Sequence, residues 1–404
     1  MQQHDLQVPL DARSGTPDTD SVARNRPCPC WILERSGLKV QKTVCSLIAP
    51  ALLFLIVVTS PAGMLVPEAR QLLVKSDTET GHDRVPWCDP FGITILLMGE
   101  DPDGRFEANL QQASRLGVRW VQVMFPAFQA NHDSSTLPIR DRRSPSRSVV
   151  EQALLMARAA GFKVALHPIL LIQDASDPHW RGQLVPVHRD QWFRDYQRWI
   201  VSWSRLATTC GVNLFFVGSE LSSMQVDQQP WQRILRSVRS EFGGPITYSA
   251  NWDAWTAIPF ASQLDALGVN AYVPLSESAD PRLEQLIQRF LPYRSQLLEW
   301  TRQTGVPVFF SEVGYPSHDR ALETPWDQHR GNRVDMETQK SGYEAFIATF
   351  SGDEPIRGVF FYALHEDGGQ DDRGYTPAGK PTIEILRRYF LDRSENSDGL
   401  RSRP

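Results

Sequence analysis

Gly305-Val306-Pro307-Val308-Phe309-Phe310-Ser311-Glu312 packs three signals into one short stretch. Gly305 follows a helical run and suits the left-handed cap that ends a helix, because it has no Cβ to clash. Val306–Ser311 is almost wholly apolar, as a parallel strand covered on both faces should be. Glu312 then closes the run on a carboxylate. A strand entering a hydrophobic core has no physical reason to finish on a charge unless it emerges at a site. The same pattern occurs earlier, at Phe215-Phe216-Val217-Gly218-Ser219-Glu220-Leu221.

Outward from these two segments the chain alternates. Short apolar, β-rich runs occur at Phe91–Met98, Val118–Phe125, Phe162–Ile169, Val212–Val217, Pro245–Ser249, Ala266–Ala271, Val306–Ser311 and Gly358–Leu364. Amphipathic stretches follow most of them: Phe106–Leu116, Ser148–Ala160, Asp190–Thr208, Trp231–Phe242, Pro281–Gln303, Asp335–Phe350 and Thr382–Phe390. Gly117, Gly161 and Gly211 punctuate helix ends as Gly305 does. Eight β/α units predict a (β/α)8 TIM barrel over residues 89–393. An open doubly wound sheet is the other candidate, but no Gly-rich phosphate loop follows the first strand. In a barrel, active-site residues sit at the C-terminal ends of strands. Glu220 ends the fourth and Glu312 the seventh, so the two carboxylates face each other across the mouth. Taken singly, either reads as a buried carboxylate in an Arg pair. Together they are the minimum equipment for cleaving a glycosidic bond.

The N-terminal part differs. Residues 1–43 are polar and without periodicity, and read as a disordered leader. Residues 44–66 carry no charge and follow Arg24, Arg26, Arg35, Lys39 and Lys42, a bias that sends the following chain out of the cytoplasm. Leu47–Val58 fits the apolar region of a cleaved signal peptide. The whole run also just reaches the length of a signal anchor. The two readings stand side by side: a membrane-anchored extracytoplasmic domain, or a secreted or periplasmic one. Residues 67–88 read as a linker and 394–404 as a disordered tail. A net charge of −5 gives no electrostatic case for nucleic acid. Cys28-Pro29-Cys30 has no second pair, the nine His are scattered and no His-Glu-x-x-His run occurs, so no metal or other cofactor is expected. No interface pattern is visible, and a monomer is the default.

Several segments together carry a more specific likeness. They are Val217-Gly218-Ser219-Glu220-Leu221, Thr247-Tyr248-Ser249-Ala250-Asn251-Trp252-Asp253, Leu267-Gly268-Val269-Asn270-Ala271-Tyr272 and Phe310-Ser311-Glu312-Val313-Gly314-Tyr315-Pro316-Ser317. Trp180-Arg181-Gly182, Thr324-Pro325-Trp326 and Gly374-Tyr375-Thr376-Pro377 also fit. Over about residues 90–390 the chain resembles glycoside hydrolase family 113, in clan A of the retaining glycosidases, whose characterised members include endo-β-1,4-mannanases. The resemblance implies that Glu220 is the acid/base, arriving protonated, and that Glu312 is the nucleophile, held ionised. It implies a carboxyl separation of about 5–5.5 Å. Tyr272, at the end of the sixth strand, is the best-placed donor to Glu312. Ser219 stands where much of the clan has Asn, which leaves the sugar 2-hydroxyl to water or to Asn251. The eighth strand, Phe360-Phe361-Tyr362-Ala363-Leu364, lacks the Trp often found there. His167, read as ending the third strand before Pro168, is a further candidate for the cleft. Trp180, Trp252 and Trp326, in loops after strands three, five and seven, are candidate sugar-stacking platforms. The expected substrate is a β-linked polysaccharide or oligosaccharide, with β-1,4-mannan first and β-glucan or xylan as alternatives. A non-catalytic carbohydrate-binding or envelope protein on the same barrel is the competing class, and retention of both glutamates speaks against it.

Overall fold

Eight strands pair in chain order, all parallel: β1 (Phe91–Leu96), β2 (Trp120–Gln129), β3 (Lys163–Ile172), β4 (Leu214–Ser219), β5 (Ile246–Ala250), β6 (Ala266–Asn270), β7 (Val308–Val313) and β8 (Ile356–Leu364). β8 returns to β1, with Phe91 opposite Val359 and Gly92 opposite Phe360, and closes the barrel. The computed structural model describes residue 87 and residues 89–101, 103–276, 281–351, 356–365 and 367–401. The leader at 1–43, the apolar run at 44–66 and nearly all of the linker at 67–88 lie outside the described residues. Among the described residues, no helix is long and apolar enough to cross a membrane.

The helices α1 (Arg105–Leu116), α2 (Arg147–Ala159), α3 (Arg189–Thr209), α4 (Gln228–Glu241), α5 (Leu283–Thr304), α6 (Met336–Phe350) and α7 (Thr382–Arg401) follow every strand but the fifth. The β5–β6 connection carries only a 3₁₀ turn, Ala261–Gln263. Gly117 and Gly305 cap α1 and α5 at φ 76° and 70°, the left-handed role their positions predict. The boundary at residue 393 falls inside α7, whose backbone continues to Arg401.

Two-residue periodicity sorts the strand side chains into layers. Phe216, Phe309 and Phe360 point into the barrel and pack with Trp120, Ala165, Leu214 and Ala266. Their neighbours Phe215, Phe310 and Phe361 belong instead to the apolar layer beneath the helices. A third cluster includes Leu96, Met124, Phe128, Tyr272, Tyr362 and Tyr375, with Trp252 and Trp326 packed against it.

β2 and β3 run further than their apolar patterns suggest. They stay in register for ten pairs, from Trp120 opposite Lys163 to Gln129 opposite Ile172, straight through Pro126 and Pro168. His167 therefore does not end β3. It lies in mid-strand, fully buried, with its ring stacked on Phe216 at 3.9 Å between centroids.

Candidate active site

Strict alternation would keep Glu312 on the same face as Phe310, under the helices. The structure breaks the alternation. On the β6–β7 pair, Val269 lies opposite Phe310 but Asn270 lies opposite Glu312, so β7 carries one extra residue there. β4 does the same against β5: Phe216 lies opposite Thr247 and Ser219 opposite Ser249. Such bulges re-aim side chains beside active sites. Glu220, directly after β4, adopts φ 53°, a left-handed conformation shared by only one other described non-glycine residue, Asp101. Non-glycine backbone there costs of the order of 1–3 kcal/mol and persists where its surroundings enforce it. Here the Glu220 N–H donates to the Ser249 carbonyl at 2.8 Å and the Leu221 N–H to the Tyr248 hydroxyl at 2.8 Å. Gly218 completes the turn, because a Cβ there would sit 2.9 Å from both the Tyr196 hydroxyl and the Tyr248 ring.

Both glutamates are buried, at 0% and 1% exposure. Glu220 is held by two donors. The Arg181 guanidinium pairs with its Oε2, and Asn270 Nδ2 donates to its Oε1 at 2.8 Å. The hydroxyls of Ser249 and Ser311 both donate to Asn270 Oδ1 at 2.8 Å, which turns the amide nitrogen towards the carboxylate. The Tyr272 hydroxyl donates to Glu312 Oε2 at 2.8 Å. Glu312 Oε1 is buried with no hydrogen-bond partner.

The charge balance is uneven. One guanidinium serves two buried carboxylates, and it pairs with Glu220. Burial, followed by the negative Glu220, pushes the Glu312 pKa up to about 8. The Arg181 charge and the hydroxyl and amide of Tyr272 and Asn270 oppose that rise without cancelling it. The two carboxylates titrate together, and at neutral pH the pair therefore keeps one proton. Burial, and then the Glu312 charge, raise Tyr272 well above the ordinary phenol range, so it remains a donor. Burial, followed by the Arg181 charge, drives His167 well below its usual range, and the ring stays neutral.

Of the residues singled out by sequence, Glu220, Glu312 and Tyr272 come together as expected. Ser219 is buried beside Glu220, with its hydroxyl unpartnered. Asn251 is buried but donates to the Asp253 carboxylate at 2.7 Å. His167 lies deep in the barrel, neither ring nitrogen having a hydrogen-bond partner. Trp252 and Trp326 form one stacked wall, their rings 6.0 Å apart at 15°. The Trp180 ring lies over Gly182, where a Cβ would come within 2.3 Å of it, and so braces the 3₁₀ turn that carries Arg181. On β8, Tyr362 supplies the aromatic side chain, edge-on to Tyr375 at 5.1 Å and to Tyr272 at 6.4 Å. Arg181 and Asn270 are the two site residues not foreseen from sequence. Both lie in segments that carry the family likeness, Arg181 in a loop and Asn270 at the close of β6.

Compared with known proteins, the sequence matches Glycoside Hydrolase Family 113 over residues 100–380. The chain belongs to that family. It is a glycoside hydrolase on a (β/α)8 barrel. A family 113 β-mannanase from Alicyclobacillus acidocaldarius, solved in complex with ManMIm, superposes with a TM-score of 0.66 at 23% identity, over 76% of this chain and 98% of that one. A second family 113 β-1,4-mannanase complex superposes at 0.67 with 18% identity, over 76% and 99%. At these identities the superpositions establish the shared barrel. No curated protein matches the chain in sequence.

Proposed function

We propose that this family 113 hydrolase cleaves a β-linked mannan by double displacement, with Glu312 as nucleophile and Glu220 as acid/base. The observation that carries the reading is the pair itself: two buried carboxylates at the barrel mouth, one compensating cation, and Asn270 acting on both. In the first step Glu312 Oε1, the oxygen without a partner, attacks the anomeric carbon. Glu220 protonates the glycosidic oxygen as that bond breaks. In the second step Glu220, now a carboxylate, takes a proton from the water that attacks the anomeric carbon and frees Glu312. The one proton that the pair keeps has to stand on Glu220 as the glycosidic bond breaks. Positive charge developing at the anomeric carbon in that transition state favours an ionised Glu312.

A second reading exchanges the two roles, and the buried ion pair between Arg181 and Glu220 is the observation that favours it. The family resemblance and the unpartnered Oε1 of Glu312 support the first. For the substrate, the support is that resemblance together with solved neighbours described as β-mannanases. The uncharged run at 44–66 behind Arg24, Arg26, Arg35, Lys39 and Lys42 supports action outside the cytoplasm. The test is release of reducing ends from mannan, glucomannan, xylan and mixed β-glucan, with Glu312→Gln as the blank. Release from mannan that vanishes in the blank is expected. Release from xylan or β-glucan alone would overturn the substrate, and release by the blank would overturn the role of Glu312.

A further inference from the structure

The loops after β2 and β3 bring together His132, Asp177 and His179, which the chain separates by 45 and 2 positions. His132 Nδ1 lies 2.8 Å from Asp177 Oδ2, and His179 Nδ1 lies 2.8 Å from Oδ1. The two imidazoles stack with centroids 3.8 Å apart and 27° between their planes. Both rings thus turn the same nitrogen towards one carboxylate. The backbone sets this arrangement in advance. The N–H groups of His132 and His179 donate to the same carboxylate at 2.8 and 3.0 Å. The N–H groups of Asp174, Val185 and Val187 tie the second loop to the carbonyls of Ala130, His132 and Asp133 at 3.0 Å each. The Asp177 side chain is 4% exposed, whereas those of His132 and His179 are 26% and 39% exposed, so the cluster is rigid at its base and open to solvent.

We infer that His132, Asp177 and His179 form a binding site for a divalent transition-metal ion, with Zn²⁺ the best fit to the donors. Two imidazole nitrogens and one carboxylate are the protein ligands of open zinc sites, with water in the remaining position. Bonds of about 2.0–2.2 Å at near-tetrahedral angles put neighbouring ligand atoms roughly 3–3.5 Å apart. The spacings of 2.8 Å need only a slight opening to admit an ion, and one ligand atom from each residue already lies within 4.8 Å of the others. Without a metal, each Nδ1 must carry a proton to bond the carboxylate; the ion takes the place of both protons. His179 stands two residues before Arg181. A bound ion would brace the turn that delivers Arg181 to Glu220.

The test uses the full chain, stripped with a chelator, then titrated with ZnCl₂ by calorimetry and with CoCl₂ by visible absorption. The expected results are saturation at one ion per chain and ligand-field bands from nitrogen–oxygen coordination. The double change His132→Ala/His179→Ala should weaken binding at least about tenfold, and Zn²⁺ should raise the thermal midpoint of the wild type only. The competing outcome is a purely hydrogen-bonded staple. Absence of saturable Zn²⁺ binding, or Co²⁺ bands that never develop in the wild type, would establish that and overturn the site. The wild-type cobalt spectrum decides between the two even where the alanine variant does not fold. Unchanged affinity in a folded double variant would also overturn the site.

Discussion

Replacing Tyr272 with Phe removes one oxygen and leaves the packing of the mouth in place. The ring is fully buried, edge-on to Tyr362 at 6.4 Å and to Tyr375 at 6.2 Å, and Phe can keep both contacts. What disappears is the hydroxyl 2.8 Å from Glu312 Oε2. Oε1 has no hydrogen-bond partner, so the Asn270 amide is left as the one polar side chain acting on the carboxylate besides the Arg181 charge. A hydrogen bond to a charged group contributes about 1.5–3 kcal/mol. Its removal should lower kcat/KM by about 10- to 150-fold if the ionised Glu312 is the reacting form. The same loss disfavours the ionised carboxylate, so the Glu312 pKa should climb by about one to two units above its raised value. The assay is the pH profile of kcat/KM on an aryl β-mannoside. The free pair gives up its last proton near pH 8, so activity falls above that pH in the wild type. In Tyr272→Phe the fall should move to higher pH. A variant with the wild-type rate and an unmoved alkaline limb would refute the reasoning.

Glu312→Gln should stabilise the fold. The folded-state pKa of Glu312, about 8, lies above its ordinary 4.5, so the native protein holds a proton that the unfolded chain releases between those values. The stability contribution of this group is full below pH 4.5 and declines up to about 8, so the gain in thermal midpoint of the variant should grow across that window and then level off. The gain is of the order of a few kcal/mol at the upper end, and a constant or shrinking difference would contradict the buried, unpaired carboxylate. Trp252→Ala should raise KM about 2- to 10-fold, the worth of one aromatic contact, while kcat changes little. An unchanged KM would place the Trp252–Trp326 wall outside the substrate path.

The barrel was legible because its signals are local. Apolar strand runs, helix-ending glycines at 117 and 305, and carboxylates at the ends of two such runs each need only a few neighbouring residues. Tyr272 was legible for the same reason, standing just beyond β6 opposite the strand that bears Glu312. What the sequence concealed depends on register and on distance along the chain. The extra residue in β4 and in β7 that turns each glutamate into the mouth leaves no mark in composition. Pro168 reads as the end of β3, with His167 closing the strand; a proline that β2 accommodates in register leaves His167 in mid-strand. Asn270 is an ordinary polar residue at the close of β6 until Ser249 and Ser311 orient it. Arg181 reads as a surface cation in a loop, and only the 3₁₀ turn under Trp180 carries it to Glu220. His132, Asp177 and His179 show no metal-ligand spacing, because two different loops supply them.

The decisive measurement is azide rescue of Glu312→Ala and Glu220→Ala on an activated aryl β-mannoside, with the anomeric configuration of each glycosyl azide read by NMR. If Glu312 is the nucleophile, its alanine variant should yield the α-azide, from one inverting displacement, and Glu220→Ala should yield the β-azide through the covalent intermediate. The opposite pairing of products would exchange the two roles, and rescue of neither variant would contradict double displacement by this pair.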